Sequence, residues 1–152
     1  MLSEHYGGGM DASEQRALNL DRLRAYFELI ESGDVDALAE YWHADIVFEA
    51  PFSFTGTPSR TDGKQQVYER LATSYGLVSM AFHITEIYEL TDPDRFLVEY
   101  DSDGTMLGSG ERYQNRYITL VEWRDGLMVR FREFYDSQRC AAAFGPLLAP
   151  DH

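Results

Sequence analysis

Glu133 stands out first, because its neighbours would change its chemistry. If Leu127–Tyr135 is a strand, alternation puts Val129, Phe131, Glu133 and Tyr135 on one face, and Arg130, Arg132, Phe134 and Asp136 on the other. A single acid on an otherwise apolar face must find a partner or hold its proton, since burying a bare carboxylate is costly. A carboxyl with a raised pKa suits general acid or base work near neutral pH. The preceding run, Arg112 to Trp123, puts Tyr113, Asn115, Tyr117, Thr119, Val121 and Trp123 on one face. Phenols and an amide interleaved in this way can bind a carbonyl oxygen where negative charge develops. Glu133 is thus the expected proton-transfer group, with Asn115 and Tyr117 (or Tyr113) as oxygen binders. Trp42, Phe48, Phe131 and Tyr135 would supply apolar walls, and His43 is a weaker candidate beside them. The plainer account is structural: a carboxylate bonded to a nearby Tyr or Arg, tyrosines that pack, and a His43 that meets a helix dipole.

Other chemistries find no support. No two histidines have metal-ligand spacing, and Asp101-Ser-Asp103-Gly104 lacks the downstream Glu of a calcium loop. There is no phosphate-cradling glycine motif and no nucleophile elbow. His83 alternates with strand neighbours, and His5 and His152 sit near the termini. Cys140, in Cys140-Ala-Ala-Ala-Phe144, looks like a packing residue. We therefore expect neither a metal nor a cofactor.

These residues have to be positioned by one domain, the prior for 152 residues. Hydrophobic residues are 44% of the chain and aromatics 14%, which rules out disorder, collagen and coiled coil. Asp and Glu number 26 against 13 Lys and Arg, a net charge of −13 that repels phosphate backbones and anionic lipid heads. No nucleic-acid or membrane partner is expected; a hydrophobic small molecule fits better. The single cysteine suits a reducing, cytoplasmic setting.

Residues 1–12, with Gly7-Gly8-Gly9, read as a flexible leader, 13–140 as the domain, and 141–152 as a tail that caps, swaps or hangs free. Asp11 and Glu14 resemble a capping box ahead of a helix whose Leu20, Leu23, Phe27 and Ile30 share one face. Gly33 closes it, and Asp34 caps a short second helix carrying Val35, Leu38 and Trp42. Ile46–Ala50 reads as a strand ended by Pro51. A third helix starts at Thr61 or Asp62 and carries Val67, Leu71 and Ser74 or Tyr75. Four long strands follow (82–90, 96–102, 112–123 and 127–135), joined by Asp92-Pro93-Asp94, Asp103-Gly104 and Asp125-Gly126. Three helices followed by an antiparallel meander predict an α+β fold, a curved sheet wrapped around the helices with a concave pocket.

That order resembles the cone-shaped fold shared by nuclear transport factor 2, ketosteroid isomerase, scytalone dehydratase and SnoaL-type polyketide cyclases. Asp45-Ile-Val-Phe-Glu-Ala-Pro51, Tyr113-Gln-Asn-Arg-Tyr117 and Asp125-Gly-Leu-Met-Val-Arg-Phe-Arg-Glu-Phe-Tyr-Asp136 are similar to the SnoaL-like group. Leu90-Thr-Asp-Pro-Asp-Arg-Phe-Leu-Val-Glu-Tyr100 adds a likeness to the phenazine-biosynthesis A/B branch. The resemblance implies that Glu133 is a pocket acid and that Ser74 lines the same pocket. The histidine expected one turn before that serine is Arg70 here, which departs from phenazine precursor condensation and makes Arg70 a pocket residue and candidate partner of Glu133. Ketosteroid isomerase carries its base aspartate where this chain has Ala50. The expectation is a cofactor-independent isomerase, cyclase or dehydratase acting on a hydrophobic, carbonyl-bearing cyclic metabolite. The alternative is a non-catalytic binding module of the same fold. Arg112, Arg116, Arg130 and Arg132 among Ile118, Leu120 and Phe134 on the outer sheet face predict a homodimer in either case.

Overall fold

Helix α1 (Ala12–Ile30) opens the chain, its first turn capped by the Asp11 carboxylate, which accepts from the Glu14 N–H at 2.8 Å. In this computed structural model, which describes residues 9–54 and 56–148, Leu23, Tyr26, Phe27 and Ile30 form its buried stripe. Leu20 packs at the edge of the core. Gly33, at φ +70°, takes the left-handed conformation that turns the chain into α2 (Val35–Ala39). The leader residues 1–8, His5 and His152 lie outside the described residues.

Strands β1 (Trp42–Glu49), β2 (Arg60–Asp62), β3 (Val78–Glu89), β4 (Arg95–Met106), β5 (Arg112–Arg124) and β6 (Leu127–Tyr135) form one sheet in the order β2-β1-β6-β5-β4-β3. Strands β3 to β6 make the antiparallel meander that the sequence predicts. The sheet is nonetheless mixed and has six strands, because β1 joins β6 in parallel and β2 extends the edge. Helices α3 (Lys64–Tyr75) and α4 (Ser137–Leu148) complete the α+β fold.

Several boundaries differ from the sequence reading. Trp42 and His43 belong to β1, not to the second helix, because Trp42 sits opposite Met128 and the Met128 N–H donates to Tyr41 O at 2.7 Å. Thr61 and Asp62 lie in β2, and the third helix starts only at Lys64, after Gly63 turns at φ +88°. Asp103-Gly104 is no turn but part of β4. A Cβ at Gly104 would sit 2.6 Å from Met80 Cγ and 2.7 Å from Ser79 O, so the glycine permits close strand approach. The chain reverses later, between Met106 and Arg112. Finally, α4 straddles the expected limit at residue 140 and orders part of the tail. Asp125-Gly126 does make the expected tight turn, with φ 52° and 77°.

Candidate functional site

The alternation expected of β5 holds along its length: Tyr113, Asn115, Tyr117, Thr119, Val121 and Trp123 are all buried. Across β4 the same face carries Phe96, Val98, Tyr100 and Ser102, and across β6 Phe131, Glu133 and Tyr135. The concave sheet does not close fully on α1 and α3. A cavity of about 630 Å³ remains between them, within the usual range of small-molecule pockets. Its floor is Phe48, Tyr100, Tyr117, Phe131 and Glu133; α1 contributes Tyr26 and Ile30, and α3 contributes Arg70, Leu71, Ser74 and Tyr75. Cys140, Phe144 and Leu148 of α4 border it, with Phe144 edge-on to Tyr113 at 5.3 Å.

Glu133 is half-buried in this wall and, among the described residues, is held by one side chain. The Tyr100 hydroxyl donates to its Oε2 at 2.9 Å and lies 2.7 Å from Thr119 Oγ1. Strand register explains the grouping: Thr119 faces Glu133 across β5–β6, and Tyr100 faces Tyr117 across β4–β5. Burial pushes the Glu133 carboxyl up to about 7, against the opposing pull of the Tyr100 hydrogen bond and the Arg70 charge. The acid is thus poised between its two protonation states at neutral pH.

Arg70 is not its ion partner. The guanidinium donates from Nη1 to Thr61 Oγ1 at 2.9 Å and lies 5.0 Å over the Phe48 ring, which is itself stacked on Phe131 at 5.0 Å. Among the described residues no carboxylate forms an ion pair with it. Ser74 Oγ donates back to Arg70 O at 3.3 Å and borders the cavity.

Tyr113, Tyr117, Phe48, Phe131 and Tyr135 reach the cavity as expected. The Tyr117 hydroxyl lies 2.9 Å from Ser102 Oγ, and its ring stacks on Tyr100 at 4.8 Å. Burial raises the Tyr117 hydroxyl well out of the neutral range, so it stays a proton donor. Three expected residues are placed elsewhere. Asn115 is buried with its amide fully used: Nδ2 donates to Tyr113 Oη and Asp136 O, and Oδ1 accepts from the N–H of Arg116 and of Asp136. No hydrogen remains for a ligand oxygen; the amide ties β5 to the start of α4. Trp42 is a core residue, donating from Nε1 to Tyr26 Oη at 3.1 Å. His43 does not line the cavity; its Nδ1 accepts from the Asp45 N–H.

Tyr100 is the residue that sequence reasoning missed, although the two-residue spacing of Phe96, Val98, Tyr100 and Ser102 already assigns it to the inner face. Cys140 packs at the cavity rim, in keeping with its apolar segment; burial pushes its thiol up to about 11, so it is not a thiolate.

Comparison with known proteins fits this architecture. A PhzA/B-like protein of Pseudomonas aeruginosa, PA3332, is 27% identical over 117 residues, covering 77% of this chain and 83% of its own. A solved structure from Bacillus subtilis, whose name proposes an isomerase, superposes with a TM-score of 0.78 at 27% identity, covering 90% of this chain and 96% of that one. The fold also matches an NTF2-like protein from Burkholderia xenovorans LB400, with a TM-score of 0.69 at 17% identity over 84% and 95% of the two chains. The SnoaL-like domain model matches residues 23–131, the stretch that runs from the buried stripe of α1 to the cavity floor of β6, and this chain belongs to the SnoaL-like family.

Proposed function

We propose that this protein is a cofactor-independent isomerase, cyclase or dehydratase that moves a proton on a hydrophobic, carbonyl-bearing cyclic metabolite. The observation that carries this reading is Glu133: a carboxyl on the wall of an apolar cavity, without an ion partner among the described residues, raised by burial to about 7. Glu133 takes or gives the proton at the carbon next to the carbonyl. The Tyr117 hydroxyl, which donates a long 3.5 Å hydrogen bond to Tyr113 Oη, turns that hydrogen to the carbonyl oxygen as it gains charge. Phe48, Phe131 and Tyr135 hold the ring by apolar contact, and Ser74 borders the cavity from α3.

The test is exchange of α-protons of cyclic ketones into deuterated water, followed by NMR. Wild type should catalyse exchange, and Glu133→Gln should lose on the order of 10²–10⁴ in rate. A Glu133→Gln rate within a few-fold of wild type refutes the assignment. The rival reading is a non-catalytic ligand-binding homodimer, favoured by the way the Tyr100 hydrogen bond alone satisfies the carboxyl. It predicts ligand binding without exchange. The Bacillus structure whose name proposes an isomerase favours the first.

In either reading the chain pairs with a second copy through its outer sheet face, where Ile118 is 44% exposed beside the half-buried Leu120 and Phe134. The single cysteine fits a cytoplasmic location, and among the described residues no helix is long and apolar enough to cross a membrane.

A further inference from the structure

Two arginines border the cavity, and they differ in one respect. Arg60 is neutralised at the rim, its Nε donating to both oxygens of Asp62 at 3.0 and 3.2 Å. Arg70 lies deeper, uses one N–H on the neutral Thr61 hydroxyl, and has no carboxylate partner among the described residues. A guanidinium carries five N–H donors in a planar fork that matches a carboxylate. Those of Arg70 that Thr61 leaves free find no acceptor on the described residues. They are accessible rather than enclosed, on a residue that lines the cavity. The cavity's acids do not claim the charge either: Glu69 is exposed and accepts from Gln65, and Glu133 is engaged by Tyr100.

A half-buried cation without an ion-pair partner is costly unless a ligand group fills its field. Every apolar requirement of the wall at this point would be met by a leucine or methionine, which would cover Phe48 equally well. We propose that Arg70 is an anion subsite, and that the ligand of this cavity is a ring compound carrying one carboxylate, held by the Arg70 fork while its carbonyl faces Glu133 and Tyr117. Thr61 and the Phe48 ring orient the fork, one through its hydroxyl and the other by stacking. The carboxylate of the ligand takes the place that Glu133 leaves empty. A dianion or polyanion is excluded by the acidic surface and by the single cation available.

This inference rests on the cavity being the ligand site, and its test separates the two. The probes are 2-naphthoate and its near-isosteric neutral counterpart 2-acetonaphthone, titrated calorimetrically at about pH 6, where Glu133 is mostly protonated. Wild type should bind the carboxylate about tenfold or more tighter than the ketone, the scale of a charge-assisted hydrogen-bond pair. Arg70→Gln should remove that preference while keeping ketone affinity within about threefold, which also shows that the variant folds with its cavity intact. Arg70→Lys should fall between the two, keeping the charge but losing the fork. Equal losses for both probes in Arg70→Gln, or no carboxylate preference in wild type, overturn the subsite while leaving the ligand cavity standing. Failure of wild type to bind either probe overturns the cavity reading, and the subsite falls with it.

Discussion

Replacing Glu133 by glutamine should change how stability depends on pH. The amide of the Glu133→Gln variant would keep the shape of the protonated acid and an oxygen that can still accept from Tyr100. The folded chain holds the Glu133 proton up to about 7, against 4.5 for the free side chain. A group whose folded pKa is raised stabilises the fold fully below the unfolded pKa and loses that contribution as the pH rises through the folded value. At 1.36 kcal/mol per pH unit the whole effect is roughly 3 kcal/mol, of which about 2 kcal/mol is lost between about pH 5.5 and about pH 8.5. Other groups titrate across the same window, so the quantity to follow is the difference between wild type and Glu133→Gln. Urea unfolding at the two pH values gives it directly. Wild type should lose about 2 kcal/mol relative to the variant on going from the acid to the alkaline condition. A difference that stays flat to within about 0.5 kcal/mol, or one that rises, means that Glu133 is ionised throughout in the folded chain, and the desolvated-acid argument fails.

Other positions make separate predictions. Tyr100→Phe removes the hydrogen bond that favours the ionised acid, so the Glu133 carboxyl should titrate higher still by carbon-detected NMR; an unchanged or lower value refutes that role. The same change leaves the buried Thr119 hydroxyl short of a partner, costing about 1–3 kcal/mol in denaturant unfolding. Gly104→Ala forces a Cβ against Ser79 O and Met80, and should cost about 1–3 kcal/mol by the same measurement. Ile118→Glu places a charge on the outer sheet face and should convert a dimer to a monomer by light scattering at micromolar concentration, with the thermal transition otherwise retained. A monomeric wild type contradicts the pairing.

The outer face shows how a correct facial assignment still leaves its chemistry open. Alternation places Arg130 and Arg132 there, and there they are; but Arg130 bonds Glu49 at 2.9 Å and approaches Glu122 at 3.5 Å, and Arg132 approaches Glu49 at 3.4 Å. The arginines are therefore largely neutralised within the chain, which shifts the weight of any pairing surface onto Ile118, Leu120 and Phe134. The shared Glu49 carboxylate, only 13% exposed, orients both guanidinium groups.

What the sequence determined by itself is the part governed by short spacing. The two-residue period of β5 and β6, the stripe Leu23, Phe27 and Ile30, the Asp11 cap and the Asp125-Gly126 turn are all local, and they sufficed to put Glu133 among aromatic side chains on an inner face. Tertiary structure alone decided what each inner residue meets. Tyr100 and Glu133 are 33 residues apart and touch only because two strand registers align them. Arg70 points to Thr61 rather than to Glu133, and Asn115 is consumed by Tyr113 and Asp136, because those partners come from other elements at distances no periodicity encodes. Asp103-Gly104 carries the same local signal as Asp125-Gly126, yet lies mid-strand because β3 approaches too closely for any side chain at Gly104. Periodicity decides which way a side chain faces; register and packing decide whether an acid facing inward is paired, and among the described residues they leave Glu133 without an ion partner.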